Sequence, residues 1–235
     1  MTDYQPPPGQ PAPIPTYDPA DRVVFASQRR YESDYLFSFW TAFGWTILTC
    51  GIYGFYVAYQ LVRRMRDHNA RRLELLDAAL AFSWEEAGKL GLQDELTPAY
   101  QRAGAHLAVM RTMTTDFREP WIWLIICALA NGIGQIVLYI FLDQDLVKHD
   151  QAELGVEYEL SAIFQTLGHA LPQPDGGRVK GQHNYVGRII ASIFSLGIYT
   201  IWWQYNMMVE PNMHFQANWQ YEDALSDAVT ELRAA

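Results

Sequence analysis

The stretch Cys50-Gly51-Ile52-Tyr53-Gly54-Phe55-Tyr56-Val57-Ala58-Tyr59 returns near the other end of the chain as Leu196-Gly197-Ile198-Tyr199-Thr200-Ile201-Trp202-Trp203-Gln204-Tyr205. Counted from the glycine, Ile, Tyr and a later Tyr keep their offsets, and Tyr56 and Trp202 hold an aromatic position between them. A histidine follows seventeen residues after each glycine, His68 and His214, and the pairs Asp77-Ala78 and Asp223-Ala224 stay in register. A fainter third copy lies between them: Gly132-Ile133, with His149 again seventeen residues on. An internal repeat therefore organises the chain, with copies at about 35–83, 120–170 and 185–232.

Each copy opens on an apolar stretch. Residues 35–62 and 121–142 carry no charge, and residues 186–209 carry only Arg188, close enough to the edge to snorkel. Each stretch exceeds the roughly 20 residues that a helix needs to cross a bilayer core. The expected fold class is all-α: an integral, multi-pass protein of the cell membrane with three repeat-related apolar segments and polar surface helices. The arginines Arg63, Arg64, Arg66, Arg71 and Arg72 follow the first stretch at once and read as a cytoplasmic flank that sets membrane orientation. Three single spans are the expected topology, with residues 143–185 on the opposite side from residues 63–119. The alternative is a re-entrant hairpin in each copy, bent at the Gly-Ile, with all polar parts on one side.

The remaining segments follow from composition. Residues 1–34 begin MTDYQPPPGQPAPIPTYDPA, too rich in proline for helix or sheet, and read as a disordered tail ahead of a helical membrane domain at 35–235. Residues 69–118 read as a helical hairpin at the membrane surface, with Leu73, Leu76 and Leu80 at helical spacing and Thr97-Pro98 starting the second arm. Small residues at and near the glycines, Cys50, Gly51, Gly54, Ala58, Ala128, Gly132, Ala191, Ser195 and Gly197, read as helix-packing positions, because small faces let backbones approach closely in lipid.

The motif Leu48-Thr49-Cys50-Gly51-Ile52-Tyr53, repeated as Ser195-Leu196-Gly197-Ile198-Tyr199, resembles a family of uncharacterised bacterial membrane domains. That family is marked by Thr/Ser-Leu-Gly-Ile-Tyr followed by aromatics and basic residues. The run Arg63-Arg64-Met65-Arg66-Asp67-His68-Asn69 resembles actinobacterial members in particular. The resemblance covers most of the chain from about Tyr35 and implies a membrane location without assigning an activity.

Function classes are narrowed mainly by what is missing. A net charge of -9 argues against nucleic-acid partners. There is no phosphate-binding GxxxxGK[ST] loop and no HExxH pair. No catalytic residues, metal or cofactor are assigned. His68, His149 and His214 are the sharpest candidates for a site. Leu61, Met65 and His68 share a helical face, as do Leu142, Leu146 and His149, and Met207, Pro211 and His214. Three copies around one axis would bring the imidazoles together as metal ligands. Single spans would place His149 on the far side, so packed or hydrogen-bonded histidines are the expectation. The expected partners are the lipid bilayer and other membrane proteins or further copies of the chain. The expected function is that of a structural, interaction or accessory subunit, with an oligomeric channel or transporter and then a membrane enzyme as alternatives.

Overall fold

The computed structural model describes residues 18–234 apart from Gln182, and the backbone but not the side chain of Asn131. Among these residues every regular element is a helix: α1 (Pro19–Gln28), α2 (Arg30–Ser33), α3 (Phe39–Leu48), α4 (Ile52–Leu90), α5 (Gln93–Thr115), α6 (Pro120–Thr166), α7 (Tyr185–Phe194) and α8 (Ile198–Ala234).

The first and third apolar stretches are not single spans. Each is a helical hairpin, α3 into α4 and α7 into α8, reversed at the repeated motif. The turn is built the same way twice. Cys50 and Gly51 take φ of 50° and 94°, and Leu196 and Gly197 take 50° and 91°. The Gly51 N–H donates to Thr46 O and the Gly197 N–H to Ser192 O, both at 2.8 Å, which closes the helix end in the Schellman manner. The hydroxyl of Thr49 then accepts from Tyr53 N, and that of Ser195 from Tyr199 N, both at 2.9 Å, capping the returning helix. The Thr/Ser of the motif is thus a helix cap, and its glycine supplies a positive φ that other residues reach only under strain. Gly51 and Gly197, expected as helix-packing positions, stand at the two turns of this chain. A Cβ at either would meet nothing within 4 Å.

The middle copy also doubles back, although its hydrogen-bonding pattern is helical throughout α6. A Cβ at Gly134 would lie 2.9 Å from the carbonyl oxygen of Ile126. The rings of Trp123 and Phe141 are 5.7 Å apart, whereas eighteen residues of straight helix would separate them by about 27 Å. Arg118, just before the helix, pairs with Asp145 and sits 4.5 Å over the Phe141 ring. The reversal falls between Ile126 and Gly134, at the position equivalent to the other two turns. Among the described residues no helix is long and apolar enough to cross a membrane.

Beyond the hairpins, α4, α6 and α8 run on together as the scaffold, and equivalent positions of the three copies form layers. Leu61, Leu142 and Met207 make one buried layer, and Met65, Leu146 and Pro211 the next. The three histidines follow, then Arg72, Glu153 and Asn218. A second apolar core closes the far end, with Leu75, Val156 and Tyr221, then Ala79, Leu160 and Leu225. Helix α5 covers α4 and α6 through Leu96, Ala103, Leu107 and Met110.

Two boundaries differ from expectation. Helix α4 continues unbroken through residue 69 to Gly91, so the surface hairpin is the return of α5 along a scaffold helix. Helix α5 starts at Gln93, where Asp94 and Glu95 suit a helix N-terminus, and Pro98 lies inside it. Helix also occupies part of residues 1–34, expected as a disordered tail. Residues 1–17 lie outside the described residues, but Asp18 caps Ala20 N at 3.0 Å and Pro19 opens α1, whose Ala20, Val23 and Ala26 are buried in the far core. Proline at the first helical position starts a helix as readily as proline elsewhere prevents one.

Candidate functional site: a histidine layer beneath an apolar crown

The hairpins carry most of the exposed large apolar side chains. Trp40, Ile47, Leu48 and Ile52 stand out on the first, with Trp40 near the start of its arm, Trp121, Leu129 and Ile133 on the second, with Trp121 near the start of its arm, and Ile193, Phe194, Leu196 and Ile198 on the third. Leu196 is 94% exposed and Phe194 85%. The tips converge around a cavity of about 400 Å³ lined by residues of all three, among them Thr46, Gly51, Cys127, Gln135 and Gln204. Cys50 is exposed at its turn, whereas Cys127 is buried. Of the other proposed packing positions, Ala58 is fully buried, Gly54, Ala191 and Ser195 are half-buried, and Ala128 and Gly132 are exposed.

Beneath the apolar layers the three histidines meet. Their ring centroids are 5.4 Å (His68 to His149), 5.2 Å (His68 to His214) and 5.8 Å (His149 to His214) apart, and none of the three is exposed. The hairpins account for this: with every copy reversed, all three positions seventeen residues after the glycine lie at one level. His68 Nδ1 is hydrogen-bonded to Asp34 Oδ1 at 2.9 Å. Asp34 also accepts from Ser33 Oγ at 2.6 Å, Arg71 Nη2 at 2.7 Å and Trp219 Nε1 at 2.8 Å. His214 Nδ1 lies 3.3 Å from Asp150 Oδ1, and His149 Nε2 3.6 Å from Glu153 Oε1. His68, His149, Glu153 and His214 each offer a ligand atom, all within 4.8 Å of one another.

A buried ionic network surrounds the layer. Arg72 pairs with Glu153, Glu157 and Glu222. Arg178 pairs with Asp150 at 2.6 Å and with Glu153 and Glu157 at 2.8 Å. Arg71 bridges Asp34 and Glu222. Five carboxylates thus face three guanidinium groups. Burial drives the His68 imidazole down to about 3, so it is neutral at pH 7 despite Asp34 beside it. Burial lowers His214 as well. Burial raises Glu153, but the Arg72 and Arg178 guanidinium groups outweigh it and hold the carboxyl well below the usual range. Glu157 is pushed up to about 7, first by burial and then by the charge of Glu153, against the pull of Arg178 and Arg72.

Three of the five flanking arginines therefore lie inside the protein. Arg64 is 1% exposed and finds no carboxylate. Pro211 lacks the N–H that would bond Met207 O four residues back, and Arg64 Nη2 donates to that carbonyl at 2.5 Å instead. Burial brings the Arg64 guanidinium down to about 9. Arg71 and Arg72 hold the network together, and Arg63 and Arg66 remain nearer the surface. Arg188 is buried, with its guanidinium 5.5 Å from the Trp203 ring.

Sequence reasoning found the histidines and missed their surroundings. The available signal was polarity on the histidine's own helical face. Four residues after the histidines stand Arg72, Glu153 and Asn218, and eight after the last two stand Glu157 and Glu222. It also missed a second group nearer the hairpins. Asp143 is 1% exposed, lies 2.6 Å from His183 Nδ1 and accepts from the Tyr185 hydroxyl at 2.5 Å. His183 Nε2 faces Glu210 at 3.3 Å, so both of its nitrogens are engaged by carboxylates.

Residues 37–148 match the family model described as "Domain of unknown function (DUF4234)". The matched region holds the first hairpin, α5 and the middle hairpin, and stops one residue short of His149. It is consistent with an uncharacterised family. No curated protein and no solved structure matches the chain.

Proposed function

We propose that the protein is embedded in a membrane through its three hairpins, which enter one leaflet from one side, and that it serves there as a structural or interaction subunit. The observation that carries this is the apolar crown. Exposed apolar surface marks an interaction or membrane face, and here most of the exposed large apolar side chains lie on the three hairpins. Arms of about ten residues reach about 15 Å, roughly half of a hydrocarbon core of about 30 Å. The multi-pass arrangement of the single-span topology gives way to insertion from one side, with residues 63–119 and 143–184 together in the same compartment. A channel would need a polar path along the axis. The buried layers Leu61, Leu142, Met207 and Met65, Leu146, Pro211 interrupt one.

The test is alkaline carbonate washing combined with thiol labelling. In a variant with Cys50 and Cys127 replaced by Ser, single cysteines are placed at the exposed Gln101 and Gln173. The protein stays in the membrane pellet, and an impermeant reagent reaches both sites only after lysis, as a cytoplasmic Arg63–Arg66 flank requires. Release by carbonate defeats the membrane reading. Labelling of Gln173→Cys alone in intact cells restores the single spans.

A further inference from the structure

We propose that His68, His149 and His214 bind one divalent transition-metal ion of the zinc type, with Glu153 as fourth ligand, in a closed structural centre that ties the three repeats together. Among the described residues, His68 Nε2, both nitrogens of His149 and His214 Nδ1 are fully buried without a hydrogen-bond partner. Buried polar atoms are nearly always satisfied, and a group of imidazole nitrogens left over in one place calls for something to accept their lone pairs.

The spacing fits an ion. Zinc binds imidazole nitrogen at about 2.0–2.1 Å, and two imidazoles on one tetrahedral ion have ring centres roughly 5 Å apart. The three observed separations are 5.2, 5.4 and 5.8 Å. Orientation fits as well. A ligating imidazole commonly gives its other nitrogen to a carboxylate, which fixes the tautomer and the ring plane. Asp34 does this for His68 at 2.9 Å, and is itself fixed by Ser33, Arg71 and Trp219. His214 Nδ1 lies 3.3 Å from Asp150 Oδ1, and its Nε2 faces Asn218 Nδ2 at 3.3 Å and Glu153 Oε2 at 3.4 Å.

Glu153 is pre-set for the fourth position. Its Oε2 accepts from Arg178 and Asn218, while Oε1 accepts only from Arg72 and keeps a lone pair on the side of His149. Three nitrogen donors and one oxygen suit zinc and its first-row neighbours rather than calcium or magnesium. Because no ligand is exposed, the centre is closed, as structural sites are.

The experiment uses the full chain purified in mild detergent. Metal content is measured by plasma mass spectrometry, the ion is removed with a strong chelator, and the protein is reloaded with Co²⁺. About one metal ion per chain is expected. Chelation lowers the melting temperature and zinc restores it, and Co²⁺ gives the intense visible d–d absorption of a four-coordinate site. His149→Ala loses the bound metal and the Co²⁺ bands while its far-ultraviolet dichroism stays helical. If that variant does not fold, the wild-type arm decides by itself. Protein that is metal-free as purified, gives no Co²⁺ bands and melts at the same temperature with or without added zinc overturns the proposal. So does a folded His149→Ala variant that retains the metal in full.

Discussion

The hairpin tips and the histidine layer occupy successive turns of the same three helices and show opposite surfaces to opposite surroundings. At the tips Leu48, Leu129 and Leu196 are the most exposed large apolar side chains of their turns. A few turns on, Arg72, Glu153 and Glu222 have no exposure at all. In a protein surrounded by water the two sets would be exchanged. Apolar side chains stay outside where the surroundings are themselves apolar, which is how the tips fit the proposed leaflet. Charges go inside only where enough partners satisfy them. The ion pairs of the layer need not make the fold more stable than a hydrocarbon core would.

The contrast breaks most visibly at Arg72. Arg72→Met removes the shared partner of Glu153, Glu157 and Glu222 and should destabilise the protein by about 3–5 kcal/mol, enough to abolish a cooperative melt in detergent. A change below about 1 kcal/mol would mean that the layer is hydrated and the contrast with the tips overstated.

Next in size is the turn. Gly197→Leu places a side chain at φ 91° and should cost about 1–3 kcal/mol. Ile193→Leu, on the exposed face of the same tip, should change stability by less than about 0.5 kcal/mol. The comparison of melting temperatures separates a conformational role for the glycine from a packing role. Equal effects would return Gly197 to the packing face that the sequence suggested.

An effect of similar size, divided by a second substitution, sharpens the boundary between the two regions. Arg64→Met leaves Met207 O without its donor and should cost about 1–3 kcal/mol. In a Pro211→Ala background the helix can supply that donor itself, so the same substitution should cost less. The measurement is a double-mutant cycle on the melting transition. Additive effects would mean that Arg64 is held by its other acceptors, Tyr35 O, Asn212 Oδ1 and Met208 O, and not by the gap that Pro211 makes.

By itself the sequence determined the helical class, the three copies and the one histidine that each copy carries, because these depend on composition and period alone. It also held the turn chemistry in full: Thr49 and Ser195 as caps, Gly51 and Gly197 for positive φ. A stretch of more than 20 apolar residues nevertheless satisfies a straight span and a pair of short arms equally well by length. The choice between them rested on whether Gly51 and Gly197 take φ of 94° and 91°, and a glycine inside an apolar run does not announce that. Only the tertiary structure decided it, and the consequences follow from that one reversal. It puts every copy's polar end on one side and lets His68, His149 and His214 come within 6 Å of one another. It also turns Arg64, Arg71 and Arg72 from flanking charges into internal ones. Burial is a property of neighbours, and the neighbours of Arg72 are Glu153, Glu157 and Glu222, between 81 and 150 residues away in the chain.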